Sequence, residues 1–166
     1  WVRQRKASWT DEGRFQARVA RWRDGSKTLI ACEPQTYMNA SGESVGPLLR
    51  FYRVPLKNLM VIVDDADLPL GQIRMRSTGS SGGHHGLESV ESHVGSREYA
   101  RLRVGIGRVE QARRDIAGHV LGRFSSEEEP FFRRVAERCR VQLECWLTDG
   151  IAKAMSQFNG AVAPEQ

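Results

Sequence analysis

The feature that most constrains the fold is the run Leu59-Met60-Val61-Ile62-Val63, followed at once by Asp64-Asp65-Ala66-Asp67 and then by Pro69 and Gly71. A short unbroken apolar run is the pattern of a strand covered on both faces, because a half-buried strand alternates and a helix needs more residues. Such strands sit in sheets flanked by helices, so an α/β layered protein with a mixed sheet is expected. Carboxylates at the C-terminal end of a covered strand stand where open α/β sheets place their ligands.

Residues on either side fill in the layers. Trp1–Ser8 reads as a helical, arginine-rich segment without a start signal. Phe15–Trp22 alternates in strand fashion, Asp24-Gly25 is a turn dipeptide and Lys27–Cys32 is the returning strand, together a hairpin. Val45, Leu48, Leu49 and Tyr52 recur at helical spacing, which predicts a helix over 41–52 with Ser41 as cap, Ser44 at the capping-box position and Pro55 barring continuation. Gly71–Arg76 alternates again, with Arg74 and Arg76 on one face. A glycine-rich loop, Gly79–Gly86, runs into a helix over Leu87–Val94, and Leu102–Ile106 is a further strand. From Ser125 onward acidic residues precede Phe132, Val135, Cys139, Leu143 and Trp146 at steps of three and four, a long amphipathic helix whose N-terminus favours negative charge.

Composition excludes several classes. The 166 residues show no repeat and no linker, which fits one domain, and no apolar stretch is long enough to span a bilayer, so a cytosolic protein without a membrane partner is expected. Three cysteines, Cys32, Cys139 and Cys145, without a CxxC pair argue against a disulfide framework or a zinc site and for reduced thiols. With 25 Lys and Arg against 20 Asp and Glu, the net charge of +5 draws the chain toward polyanions, although a GC-rich genome produces the same arginine bias.

Three constellations bear chemistry. Asp64, Asp65 and Asp67 can orient a histidine, hold magnesium or cap turns facing water. The loop Gly79-Ser80-Ser81-Gly82-Gly83-His84-His85-Gly86 offers backbone N–H groups to a phosphate or carbonyl but matches neither GxxxxGK[ST] nor GxGxxG, so nucleotide hydrolysis fits poorly. Adjacent histidines point apart, so His84 and His85 make a weak metal pair, while His93 and His119 have no evident partner. In Pro34–Gly42, Asn39 can bond a substrate amide, Tyr37 can stack on a base or sugar, and Met38 can line an apolar wall; each also serves as an ordinary cap or core residue.

Taken in order, Pro34–Gly42, Asp64–Gly71, Gly82–Leu87, Arg101–Gly107, Val120–Phe124 and Trp146–Gly150 resemble the bacterial-type peptidyl-tRNA hydrolase family, from about Phe15 to the C-terminus. The resemblance implies one layered domain over residues 1–166, with a mixed twisted sheet flanked by helices. It implies hydrolysis of the ester joining a peptide to the terminal ribose of tRNA, by a monomer that needs no metal or other cofactor. The aspartate matching Asp64 holds a water-activating histidine in its basic form. Asn39 matches the amide that places substrate and water, Tyr37 and Met38 match the cleft wall, and Gly82 and Gly83 border the substrate. Arg74, Arg76 and Arg103 fall where the family meets tRNA phosphates.

Two departures shape the expectation. The family's opening strand, its Gly-Asn-Pro-Gly loop and the Thr-Arg-His-Asn segment carrying the general base would precede Trp1. On that reading the sheet lacks the family's first buried strand, the chain as written is inactive and its complete parent is active. At His85 the family usually has an asparagine that bonds substrate; an imidazole both donates and accepts, so the role survives with altered geometry. The alternatives are a non-catalytic RNA-binding relative, such as a splicing factor, and a magnesium-dependent phosphohydrolase built on Asp64, Asp65 and Asp67.

Overall fold

The computed structural model describes residues 1–107, 125–126 and 128–163, which fall in two compact units, 1–59 with 80–98 and 60–79 with 99–166. Among the described residues the strands form two sheets, of three and four strands. The expected α/β class holds in both units, and the mixed sheet is the four-stranded one. His119 and the Val120–Phe124 segment lie outside the described residues.

In the first unit β1 (Thr10–Glu12), β2 (Ala17–Asp24) and β3 (Lys27–Pro34) make an antiparallel meander. The expected hairpin is there: Asp24 pairs with Lys27, leaving a two-residue loop. Phe15, expected at the head of the strand, instead closes a 3₁₀ turn, and its ring joins Ala17, Val19 and Leu48 in the core with Ile30, Cys32 and Tyr52 against them. Helix α1 spans Ser41–Tyr52, as predicted. Its cap differs. A 3₁₀ turn, Met38–Ala40, feeds directly into the helix, so Ala40 holds the cap position and the Ser41 hydroxyl donates to the Met38 carbonyl at 2.9 Å. Ser44 is fully buried and donates to the Gln16 carbonyl at 3.1 Å, so it forms no capping box. Helix α2 spans His85–Val94. Trp1–Ser8 holds only a 3₁₀ turn, Arg3–Arg5, because a segment this short without an apolar face cannot offset helix nucleation; the Trp1 ring instead meets Trp22 edge-on at 5.3 Å.

The second unit contains β4 (Met60–Asp65), β5 (Gln72–Arg76), β6 (Ala100–Gly105) and β7 (Gly160–Ala161), in the order β4-β6-β5-β7. β4 runs parallel to β6 and the other pairings are antiparallel. Helices α3 (Glu128–Asp149) and α4 (Ile151–Phe158) follow. The expected acidic helix start is a reciprocal capping box, with Glu128 N–H bonded to Ser125 Oγ at 3.2 Å and Ser125 N–H to Glu128 Oε2 at 2.9 Å. The predicted stripe buries Val135, Cys139 and Leu143, while Phe132 and Trp146 are half-buried. Asn159 lengthens the β5 ladder with its side chain: Oδ1 accepts from Met75 N–H at 2.6 Å and Nδ2 donates to the Met75 carbonyl at 3.1 Å. The buried Gln142 amide braces it by donating to Asn159 Oδ1 at 3.1 Å.

One expectation about the apolar run fails. β4 ends its sheet, pairing with β6 alone among the described residues, and Ile62 is 53% exposed. Met60, Val61 and Val63 are half-buried, so among the described residues the run stands at a sheet edge and is not covered on both faces. Residue type records what a strand can bury; which neighbours cover it is decided elsewhere in the chain.

All three cysteines are free. Burial pushes the Cys32 thiol up to about 11, with the Glu33 carboxylate adding to it, and burial does the same to Cys139. Both stay protonated at neutral pH and resist thiolate chemistry, as expected of structural thiols.

Candidate functional site

The first unit assembles one group of candidate residues. β3 ends at Pro34, and the 3₁₀ turn before α1 projects Tyr37, Met38 and Asn39 outward; Tyr37 is 87% and Met38 51% exposed. Leaving such apolar surface in water is unfavourable, which makes this turn a candidate for contact with a ligand. The Met38 thioether occupies the place that a side chain at Gly86 would need, which docks the turn on the start of α2. There the chain turns tightly: His84 N–H bonds the Ser81 carbonyl at 3.2 Å, and Gly82 and Gly83 both take left-handed backbone, with φ of +60° and +81°. Two successive left-handed residues are strained for anything but glycine, which accounts for the pair.

His84 and His85 point apart, as predicted. His84 Nδ1 accepts from Leu87 N–H at 3.3 Å and so caps α2, which assigns the ring proton to Nε2. His85 is exposed and donates from Nδ1 to Glu88 Oε2 at 3.1 Å. His93, which had no evident partner in the sequence, donates from Nδ1 to the Ser89 carbonyl one turn back at 2.8 Å. A polar depression of about 460 Å³ lies along the face of α2 carrying Glu88, Glu91 and Ser92, with Gly95 and Arg97 beyond the helix end also lining it. It contains neither Tyr37, Met38 nor Asn39, and its glutamates would repel phosphate.

The second unit assembles the cationic group. In the antiparallel register of β5 and β6, Arg74 lies directly opposite Arg103 and Arg76 opposite Arg101. All four guanidinium-bearing residues therefore share one sheet face, which bears out the predicted common face of Arg74 and Arg76 and adds Arg103. Arg101 is fully buried, its guanidinium 4.4 Å from the Tyr99 ring centroid, and alternation gave no sign of that burial.

The adjacent carboxylates part company. Asp64 is level with Val104, while Asp65 lies on the arginine face, its carboxylate buried and Oδ2 at 3.0 Å from Arg103 Nη1 and 3.9 Å from Arg74 Nη2. Asp65 Oδ1 also accepts Asp67 N–H at 2.9 Å, and its carbonyl accepts Leu68 N–H at 3.3 Å and Ile106 N–H at 3.2 Å. The turn after β4 is thus wrapped around Asp65. The sequence gives no sign of this pairing, since it depends on the register of three strands. Among the described residues no three His, Cys, Asp or Glu side chains gather as a metal site, and no helix is long and apolar enough to cross a membrane.

Comparison with known proteins brings these halves under one heading. The chain is 40% identical to peptidyl-tRNA hydrolase of Synechocystis sp. over 154 residues, 93% of this chain and 79% of that protein. It is 45% identical to the Bacillus pumilus enzyme of the same name over 138 residues, 83% of this chain and 72% of that protein. The crystal structure of peptidyl-tRNA hydrolase from Acinetobacter baumannii superposes with a TM-score of 0.87 at 27% identity, covering 96% of this chain and 81% of that one. The family profile for peptidyl-tRNA hydrolase matches residues 1–166, and the chain belongs to that family.

Proposed function

We propose that the protein hydrolyses the ester between peptide and tRNA: water adds to the ester carbonyl, and the products are a free peptide carboxylate and the ribose hydroxyl of tRNA. The observation that carries this reading is the arginine face, where Arg74 opposes Arg103 and Arg76 opposes Arg101. Like charges set opposite each other repel across a sheet, and the accessible members of this face, Arg74 and Arg76, offer a polyanion phosphate contacts. Arg74, Arg76 and Arg103 meet tRNA phosphates. In the other unit the exposed Tyr37 and Met38 provide an aromatic and apolar wall for the nucleotide and peptide ends, Asn39 hydrogen-bonds the substrate, and the Gly82-Gly83 turn lets backbone approach it closely. His85 donates or accepts where an asparagine amide would, its ring exposed and steered by Glu88. Asp64, at the C-terminal end of β4, takes the part that the family resemblance implies, a carboxylate that fixes the tautomer and raises the basicity of a water-activating histidine.

The curated relatives carry the hydrolase name, which leaves the splicing-type alternative without support. We infer further that the protein acts as a monomer in the cytoplasm, where released tRNA re-enters translation.

The test uses the full-length gene product and an N-blocked aminoacyl-tRNA. Asp64→Asn and Asn39→Ala are each expected to lower kcat/KM by about 100-fold or more, the usual scale for general-base machinery, with unchanged circular dichroism. Turnover at the unsubstituted rate in both variants overturns the assignment.

A further inference from the structure

We infer that Asp65 is a positioning residue for the arginine face: its buried carboxylate anchors Arg103 and steers Arg74, so that the outer guanidinium is held preset for RNA phosphate. The inference deepens the proposed function and rests on it for the identity of the ligand. Three observations support it. Arg74 and Arg103 are cross-strand neighbours, so without an anion between them their guanidinium groups repel and splay. Asp65 supplies that anion from the third strand, with Oδ2 reaching Arg103 Nη1 at 3.0 Å and Arg74 Nη2 at 3.9 Å. The exposures are graded: the Asp65 side chain is 5% exposed, Arg103 14% and Arg74 42%. The carboxylate therefore grips the inner arginine and leaves the outer one open to a ligand. Its own place is set by the Asp67 N–H bond at 2.9 Å.

Electrostatics without positioning makes the opposite prediction, and that separates the two. Asp65→Asn adds one positive charge to the face, so a purely Coulombic role would tighten RNA binding and steepen its salt dependence. If Asp65 positions the arginines, the same substitution weakens binding to deacylated tRNA by about tenfold, the scale of one charge-assisted hydrogen bond, despite the added charge. Asp67→Asn, an exposed acid on the same turn, makes the same charge change and is expected to tighten binding slightly.

Nitrogen NMR of the arginine side chains gives an independent signature: hindered rotation of the Arg103 guanidinium in the unsubstituted protein, lost in Asp65→Asn. If that variant does not fold, Asp65→Glu keeps the charge and displaces the oxygens; it is expected to weaken binding without changing the slope of affinity against salt. In the full-length protein KM rises more than kcat falls. Binding by Asp65→Asn as tight as by Asp67→Asn, or unaltered binding by Asp65→Glu, overturns the inference while leaving the hydrolase reading intact. No salt-dependent tRNA binding by the unsubstituted protein overturns both.

Discussion

Arg103 and Arg76 look equivalent as cationic residues on one sheet face, yet they differ in what they leave behind when removed. Arg103 is mostly covered and ion-paired with the buried Asp65, whereas Arg76 is exposed and donates to its neighbour's carbonyl, Met75 O, at 3.2 Å. Stripping a buried carboxylate of its partner costs about 3–5 kcal/mol, and Arg74 at 3.9 Å keeps this case near the lower end. Arg103→Ala is therefore expected to lower the urea midpoint and to weaken tRNA binding together. Arg76→Ala should leave stability within about 0.5 kcal/mol while cutting the slope of log affinity against log salt by about one. Equal stability losses in the two variants, read from urea titrations, would show that Asp65 does not depend on Arg103.

At the scale of elements, α1 and α2 approach each other closely at Gly42. Gly42 N–H donates to Ser89 Oγ at 2.9 Å, and a side chain at Gly42 would run into the Ser89 carbonyl and the His93 ring. Alanine gains about 1 kcal/mol over glycine in helix propensity, but overpacking costs about 1–3 kcal/mol and here the obstacle is backbone that cannot turn aside. Gly42→Ala is thus expected to lower the melting temperature. Gly46→Ala, one turn on, would meet the Arg50 guanidinium and the His93 Cβ at 3.3 Å and should be nearly neutral. A higher melting temperature for Gly42→Ala would mean that the helices separate freely. None of this was legible before the fold, because Gly42 reads as an ordinary glycine near a helix start. What periodicity did disclose was self-contained: the bounds of α1, the β2–β3 hairpin and the stripe of α3 each depend on residues close in sequence. The cap of α1 escaped because the 3₁₀ turn before it is set by how Met38 docks on Gly86. The Asp65 pairing escaped for the same reason, needing two strand registers at once. The family's motifs brought Asn39, Asp64 and the glycine turn to notice, but not the buried carboxylate next door.

For the whole molecule, the exposed apolar surface of β4 is a solubility problem. Among the described residues β4 pairs on one side only, and Ile62, in the apolar run Leu59–Val63, is 53% exposed, which is apolar surface that a second chain can cover. The net charge of +5 opposes such encounters by mutual repulsion, and salt weakens that opposition. Light scattering at high protein concentration should therefore rise as salt is added, the reverse of what the same salt does to tRNA binding. Ile62→Lys places a charge on the edge and is expected to suppress the rise. Phe51→Lys removes a comparable amount of exposed apolar surface, 56% exposed on a helix, without touching a strand edge, and should change scattering little beyond the effect of one added charge. Equal suppression by both substitutions would assign the association to general hydrophobicity and charge, whereas suppression by Ile62→Lys alone assigns it to the exposed apolar surface of β4.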